Sequence, residues 1–302
     1  MTLDQLRIFI AVAEREHVTR AATALGLTQS AVSSAVAALE SRHDVRLFDR
    51  VGRHIELTAA GRAFLVEARA VLARAHAAEL VLSELGTLGR GTLVVHASQT
   101  IASYWLPAHL VEFRKAYPKI EVRLAGGNTE TVAQAVLDGT ADLGFVEGAI
   151  RDASLTVREV GGDRLVLVVG AGHPLAKRRR LNVADLEEYP WVVREPGSGT
   201  RSEMEAALSG LKLSIHDRNF ALELPSNEAV RTAIEAGAGI GGMSELVAAP
   251  SLASGLLHRL PIEMPRRSFL VLAHRERRLS KAGEALMALC APKPGRTKNI
   301  SR

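Results

Sequence analysis

Residues 19–40 read TRAATALGLTQSAVSSAVAALE, and this stretch decides the fold of the N-terminal part of the chain. Ala21 and Ala22 are small where two helices must cross closely, and Gly26 supplies a tight turn. Thr19 is placed to cap a short helix ending at Leu25, and Thr28 to open the next one, reaching Glu40. Leu25, Leu27, Val32, Val36 and Leu39 then face inward, while Gln29, Ser30, Ser33 and Ser34 form a polar outer face. That is helix-turn-helix geometry, in which the start of the second helix meets base edges in a major groove. Gln can hold adenine bidentately, Ser suits either base type, and a helix N-terminus such as that at Thr28 favours phosphate. A plain three-helix bundle would share the alanine crossing and the polar face, so the flanking sequence has to separate the two.

Working outward, Leu3, Leu6, Phe9, Ile10 and Ala13 recur at the spacing of a one-faced helix, with Thr2 and Gln5 set for a capping box. Beyond the quoted stretch, Val45–Phe48 and Ile55–Leu57 are short apolar runs around Asp49–His54, a small hairpin or wing. Arg50 and Arg53 on it are placed for backbone phosphates, which position a protein without reading sequence. A long helix is predicted from Thr58 to about Leu88. Along it Phe64, Ala68, Val71, Ala75, Ala78, Leu82 and Leu85 step by alternating fours and threes, the 3.5-residue period of a helix seam. The same helix could instead lie on its own domain.

After Gly89-Arg90-Gly91 the texture changes. Strand-like runs at Leu93–His96, Ile120–Leu124, Asp142–Val146, Arg164–Val169, Trp191–Val193, Phe220–Leu224 and Phe269–Ala273 alternate with helical ones, the pattern of a parallel or mixed sheet with helices on its faces. A length of 302 residues accommodates such an α/β region beside the helical head. Pro292–Arg302 carries almost nothing to bury and reads as a frayed tail.

Composition bounds the function. The chain is 47% hydrophobic and 24% charged, ordinary for a globular protein with real cores. No stretch approaches the length of apolar sequence that spans a bilayer, and the start lacks a secretory signal, so a cytoplasmic protein without membrane attachment is expected. A single cysteine, Cys290, excludes a disulfide framework. The net charge of +5 is spread along the chain and identifies no partner by itself.

The head then takes on a family resemblance. Leu6–Phe9, Ala21-Ala22, Leu25, Thr28–Ser33, Leu39-Glu40, Leu47–Arg50 and Leu57–Gly61 resemble the N-terminal domain of LysR-type transcriptional regulators, in the right order over about 60 residues. Two residues depart from the pattern: Ser30 stands where the family often has Pro, and Ser34 where it often has Arg. The resemblance implies an α+β multidomain architecture. It comprises a winged helix-turn-helix head (1–58), a linker and dimerisation helix (59–90) and an effector-binding α/β domain (91–302) resembling periplasmic binding proteins. That last domain has two lobes, 92–161 with 267–291 and 162–266. It further implies a homodimer or homotetramer on double-stranded DNA, with heads on half-sites about 34–36 Å apart or a multiple of that. The expected DNA contacts are Thr28, Gln29, Ser30, Ser33, Ser34, Arg50 and Arg53.

In such folds ligands sit beyond strand C-termini, at helix N-termini with free N–H groups. Ser98, Gln99 and Thr100 follow one predicted strand, and Asn128 and Thr129 follow another. In the second lobe Gly199, Thr200 and Arg201 end a glycine-rich turn into a helix, and Asn227 opens another. Hydroxyls, N–H groups and one Arg across two lobes predict a small anionic co-inducer and no further cofactor. Ordinary helix capping explains each site singly as well; their convergence is what favours a ligand. The runs Ala97–Ile101 and Gly127–Glu130 also resemble a branch of the family associated with sulfur or inorganic-carbon metabolism.

Other motifs carry no chemistry. Gly237, Gly239 and Gly242 fit G-x-G-x-x-G but follow a helix, so a helix-to-strand turn is expected. Lys177–Arg180 reads as a solvated loop, and His96 as a packed or rim residue. No catalytic constellation and no metal-ligand spacing appear, so a regulator and not an enzyme is expected. The α/β half alone would also allow a solute-binding protein of the periplasmic type, which the head and the missing signal peptide disfavour.

Overall fold

The computed structural model describes residues 1–51, 54–85, 91–213, 215 and 219–292. The chain forms two compact units, one built on Met1–Gly86 with Asp138–Thr140 and the other on Thr87–Leu137 and Ala141–Arg302.

The first unit opens with α1 (Leu3–Arg15), whose capping box is made by Thr2 and Gln5 as predicted. Leu6, Phe9, Ile10 and Ala13 are buried along one face, while Leu3 at the first turn stays exposed. Helix α2 (Val18–Leu25) is capped by His17 and not by Thr19: the His17 ring nitrogen accepts the Arg20 N–H, so the helix starts two residues earlier. Gly26 ends it at φ +66°, a left-handed conformation that glycine adopts without strain. Helix α3 (Gln29–His43) is capped by Thr28 and continues three residues past the expected Glu40. Leu27 was expected inside. It is 42% exposed, because it lies in the turn and not on the inner face of either helix.

The wing is an antiparallel pair, β1 (Phe48–Val51) and β2 (His54–Leu57). It is tied to α3 by Glu40, whose Oε1 accepts the N–H groups of Leu47 and Phe48 at 2.7 and 3.1 Å. Helix α4 (Ala59–Leu85) begins against the wing so closely that a Cβ on Gly61 would lie 2.1 Å from the Leu47 carbonyl oxygen. The Phe9 ring packs at a tilt between Phe48 and Phe64, with ring centroids 5.4 and 4.9 Å away, and Ala68 is buried in the same core. The first two positions of the heptad seam thus serve the head's own core, whereas Val71 and Ala78 are exposed. The side chains of Leu82 and Leu85 lie outside the described residues.

The second unit is a mixed sheet in two parallel halves. In one half β3 (Gly91–Ser98) pairs in parallel with β4 (Ile120–Gly127) and β5 (Leu143–Glu147). In the other β7 (Trp191–Arg194) lies parallel to β8 (Phe220–Leu224) and β9 (Ile240–Ser244). Two long strands join the halves. Strand β6 (Leu155–Gly170) runs antiparallel to β9, β10 (Leu257–Arg259) and β11 (Arg266–His274), and β11 also pairs with β5. Leu155 and Val160 belong to cores on the first side; Leu165 to Val169 belong to cores on the second. Around the crossing, Gly162 lets β6 approach β11, since a Cβ there would be 2.4 Å from the Arg267 carbonyl oxygen.

The strand-like runs leave out β10 and the first half of β6, and they leave out β9 although the glycine motif already sets a helix-to-strand turn before it. Strand β9 holds two glycines, and the start of β6 exposes Val157, Arg158 and Glu159, so neither shows a clean apolar period. The glycine motif is a helix-to-strand turn, with Gly237 at φ +89° and Gly239 at φ +143°. Helices follow the strands: α5 (Leu106–Ala116) after a π-turn at Ile101–Trp105, then α6 (Thr129–Asp138), α7 (Gly199–Gly210), α8 (Asn227–Glu235), α9 (Glu245–Ala253) and α10 (Lys281–Cys290). Among the described residues no single helix is long and apolar enough to cross a membrane, and no group of His, Cys, Asp and Glu could hold a metal ion.

Candidate functional site

The head presents one polar face. Gln29, Ser30, Ser33 and Ser34 are exposed on α3, opposite the buried Val32 and Leu39. Thr28 is committed to the cap: its hydroxyl accepts the Ala31 N–H at 3.2 Å and lies 3.1 Å from the Ser30 hydroxyl. Arg50 is exposed on β1, across from Ile55. Arg53 lies outside the described residues.

In the second unit the strand C-termini and helix N-termini of the two halves converge. Asn227 at the start of α8 is a hub. Its Nδ2 donates to the Thr100 hydroxyl at 3.0 Å, its backbone N–H donates to Gln99 Oε1 at 3.0 Å, and its Oδ1 accepts from Arg194 Nη1 at 2.5 Å. Gln99 in turn donates to the Pro225 carbonyl at 2.8 Å. Asn128 donates to Glu195 Oε1 and to the Pro196 carbonyl at 3.3 and 3.4 Å, and the Glu130 N–H reaches the Gly197 carbonyl at 3.2 Å. Apart from the bond between Asn227 and Arg194, which stays within the second half, each of these bonds joins one half of the sheet to the other.

Deeper, a second cluster centres on Glu147 at the end of β5, only 2% exposed. The Ser98 hydroxyl donates to its Oε2, and the Thr200 hydroxyl donates to its Oε1 at 3.2 Å. Thr129 donates to its backbone carbonyl at 2.7 Å. Gly199 is required here, since a Cβ would fall 2.1 Å from that same oxygen. Arg267 donates to the Thr200 hydroxyl at 3.0 Å, stands 3.7 Å from Glu147 and holds Asp163, which also accepts from Ser244. Burial lowers the Arg267 guanidinium, but its bonds and attraction to Asp163 and Glu147 outweigh this and hold it above its ordinary value. Burial likewise raises the Glu195 carboxyl, and the Arg194 guanidinium more than reverses it.

One expectation is corrected. Arg201 was to bring positive charge to the cleft. Its guanidinium instead bonds Glu205 at 2.8 Å, Glu223 at 2.7 Å and the Arg194 carbonyl at 3.0 Å, over the Phe220 ring. It faces carboxylates on its own half of the sheet. The guanidiniums that reach the cleft residues are Arg194 and Arg267, and the carboxylates Glu147, Asp163 and Glu195 stand with them. None of these five was singled out. Glu147 had a usable signal: it directly follows the predicted strand Asp142–Val146, the same placement that nominated Ser98. Outside the buried cluster a groove of about 610 Å3 opens between α6 and α7, with Thr129, Ser198 and Arg201 on its wall.

Residues 3–62 match the bacterial regulatory helix-turn-helix proteins of the lysR family, and residues 86–293 match the LysR substrate binding domain. The chain belongs to the LysR family of transcriptional regulators. These are DNA-binding regulators with an effector-binding domain, and the matched head sets this LysR regulator apart from a solute-binding protein. It is 34% identical over 294 residues to the uncharacterized HTH-type transcriptional regulator YeiE of Escherichia coli strain K12, covering 97% of this chain and 98% of that one. It is 34% identical to a protein of Trichormus variabilis named a probable RuBisCO transcriptional regulator, over 94% of this chain and 86% of that one. The fold agrees with the crystal structure of CbnR, a LysR family regulator, at TM-score 0.68 and 22% identity over 97% and 100% of the two chains. A full-length OxyR variant of Pseudomonas aeruginosa matches at TM-score 0.65 and 21% identity over 96% and 94%.

Proposed function

We propose that this LysR regulator is a cytoplasmic, sequence-specific binder of double-stranded DNA that responds to a small anionic effector held between two α/β lobes. The lobes are 92–161 with 267–291, and 162–266. The reading rests above all on one observation: Thr100 of one half bonds Asn227 of the other, and Ser98 and Thr200, one from each half, converge on Glu147, beside the buried guanidiniums of Arg194 and Arg267. An anion there meets hydroxyls, helix N-termini and positive charge together. Gln99, Asn128, Thr129 and Gly199 complete the wall, and Arg201 acts by supporting it from behind. To regulate, the anion has to favour one arrangement of the lobes over another.

On DNA, Gln29 and Ser33 read bases, with Ser30, Ser34 and Thr28 beside them, while Arg50 and Arg53 hold phosphates. The exposed Val71 and Ala78 support pairing of two chains along α4, as a homodimer or within a homotetramer. The name of the Trichormus relative agrees with the resemblance to a branch tied to sulfur or inorganic-carbon metabolism. Genome-wide mapping of bound sites, repeated with Gln29→Ala, tests the DNA reading: discrete sites lost in the variant support it, and an unchanged map contradicts it.

A further inference from the structure

The proposed anion site already contains an anion. Glu147 is 2% exposed, and the groups facing it come from four elements: Ser98 on β3, Thr129 on α6, Thr200 on α7 and Arg267 on β11. Its carboxylate takes the hydroxyl hydrogens of Ser98 and Thr200. Each hydroxyl has a single hydrogen to give. An effector that receives those two hydrogens takes them from Glu147. The carboxylate would then keep only Arg267, at 3.7 Å, whose Nε and Nη2 are spent on Asp163 and whose Nη1 reaches Thr200. A buried carboxylate short of donors and next to a second anion is unfavourable on both counts.

A ligand that brings its own donor removes both penalties. Its hydroxyl hydrogen points at Glu147 in a short charge-assisted bond, while its other oxygens take Ser98, Thr200 and the helix N-termini. We infer that Glu147 is the specificity-determining residue of the cleft, selecting an oxyanion that still carries a hydroxyl hydrogen over a fully ionised oxyanion of the same shape. This rests on the anionic reading above and narrows it. Two pairs isolate the hydrogen from the shape: hydrogen phosphate against sulfate, both tetrahedral, and hydrogen carbonate against nitrate, both planar.

Calorimetric titration of the full chain at neutral pH with these four anions is the test. In at least one pair the protonated member should bind about 10- to 100-fold more tightly, the worth of one hydrogen bond to a charged group. Glu147→Gln, whose amide can donate as well as accept, should bring the two members level. Sulfate and nitrate each binding the wild type as tightly as its partner overturns the inference alone, as does an unchanged ratio in Glu147→Gln. Binding of none of the four anions overturns it together with the oxyanion reading of the cleft. Should the Gln variant fail to fold, the wild-type ratio still decides.

Discussion

The Arg267 guanidinium grips the Asp163 carboxylate with two bonds, Nε to Oδ1 at 2.5 Å and Nη2 to Oδ2 at 3.0 Å, where β11 and β6 pass from one half of the sheet to the other. Both residues are buried, and the same guanidinium reaches Thr200. Removing one partner leaves an uncompensated charge, which typically costs about 3–5 kcal/mol. Asp163→Ala should therefore lower the denaturant midpoint of the effector domain strongly. Asp163→Leu with Arg267→Met should recover much of that loss. A single variant as stable as wild type would show that the pair contributes nothing.

On the head, Gln29→Ala should cost about 1–3 kcal/mol at the specific site and relax preference at one base position. Arg50→Ala should weaken all sequences alike and flatten the dependence of affinity on salt. Binding titrations across salt concentrations on specific and scrambled duplexes separate the two behaviours. Unchanged specificity in Gln29→Ala would remove that residue from base reading.

The α4 seam divides into two parts with different predictions. Phe64 and Ala68 are built into the head's own core, so polar replacements there should unfold it. Val71 and Ala78 are exposed in a single chain. Val71→Glu with Ala78→Glu should leave the folded monomer intact and dissociate the oligomer, because like charges would be buried against a partner. Light scattering that still reports the wild-type mass would place the interface elsewhere.

Burial pushes the Cys290 thiol up to about 12, so at neutral pH it holds its proton and reacts poorly. Alkylation should be slow in the folded protein and fast after unfolding. The sign for stability follows from linkage. An unfolded cysteine ionises near pH ~8.5 while the folded one stays protonated, so stability is full below that pH and falls as pH rises towards the folded value. Cys290→Ala should abolish that part of the alkaline loss; an equal alkaline slope in both proteins would contradict it.

The helical head was legible because its determinants are local. The Thr2–Gln5 box, the stripe from Leu6 to Ala13, Gly26 and the Thr28 cap all act within four or five residues, and all appear where expected. The misreadings there are local competitions: His17 supplies an acceptor one residue before the helix, in place of Thr19, and Leu27 falls in the turn. The cleft was half legible. Ser98, Thr100, Thr200 and Asn227 were found by the strand-end rule, which needs only order along the chain. Their partners were not, because the bonds span large separations: Ser98 to Glu147 across 49 residues, Thr200 to Arg267 across 67 and Arg267 to Asp163 across 104. Buried ion pairs leave no periodic trace, and Arg201 passed for the cleft cation because spacing cannot show that Glu205 and Glu223 engage it.

The central claim is that the converging hydroxyls and guanidiniums bind a small anion. Calorimetry with a panel of small oxyanions and carboxylates, on wild type and on the Thr100→Ala, Thr200→Ala double variant, tests it most directly. Three or four charge-assisted bonds at about 1.5–3 kcal/mol each allow micromolar binding after desolvation. The account predicts at least one anion bound by wild type with that affinity and about tenfold or more weaker in the double variant. Equal binding by both proteins, or binding of uncharged ligands alone, would contradict it.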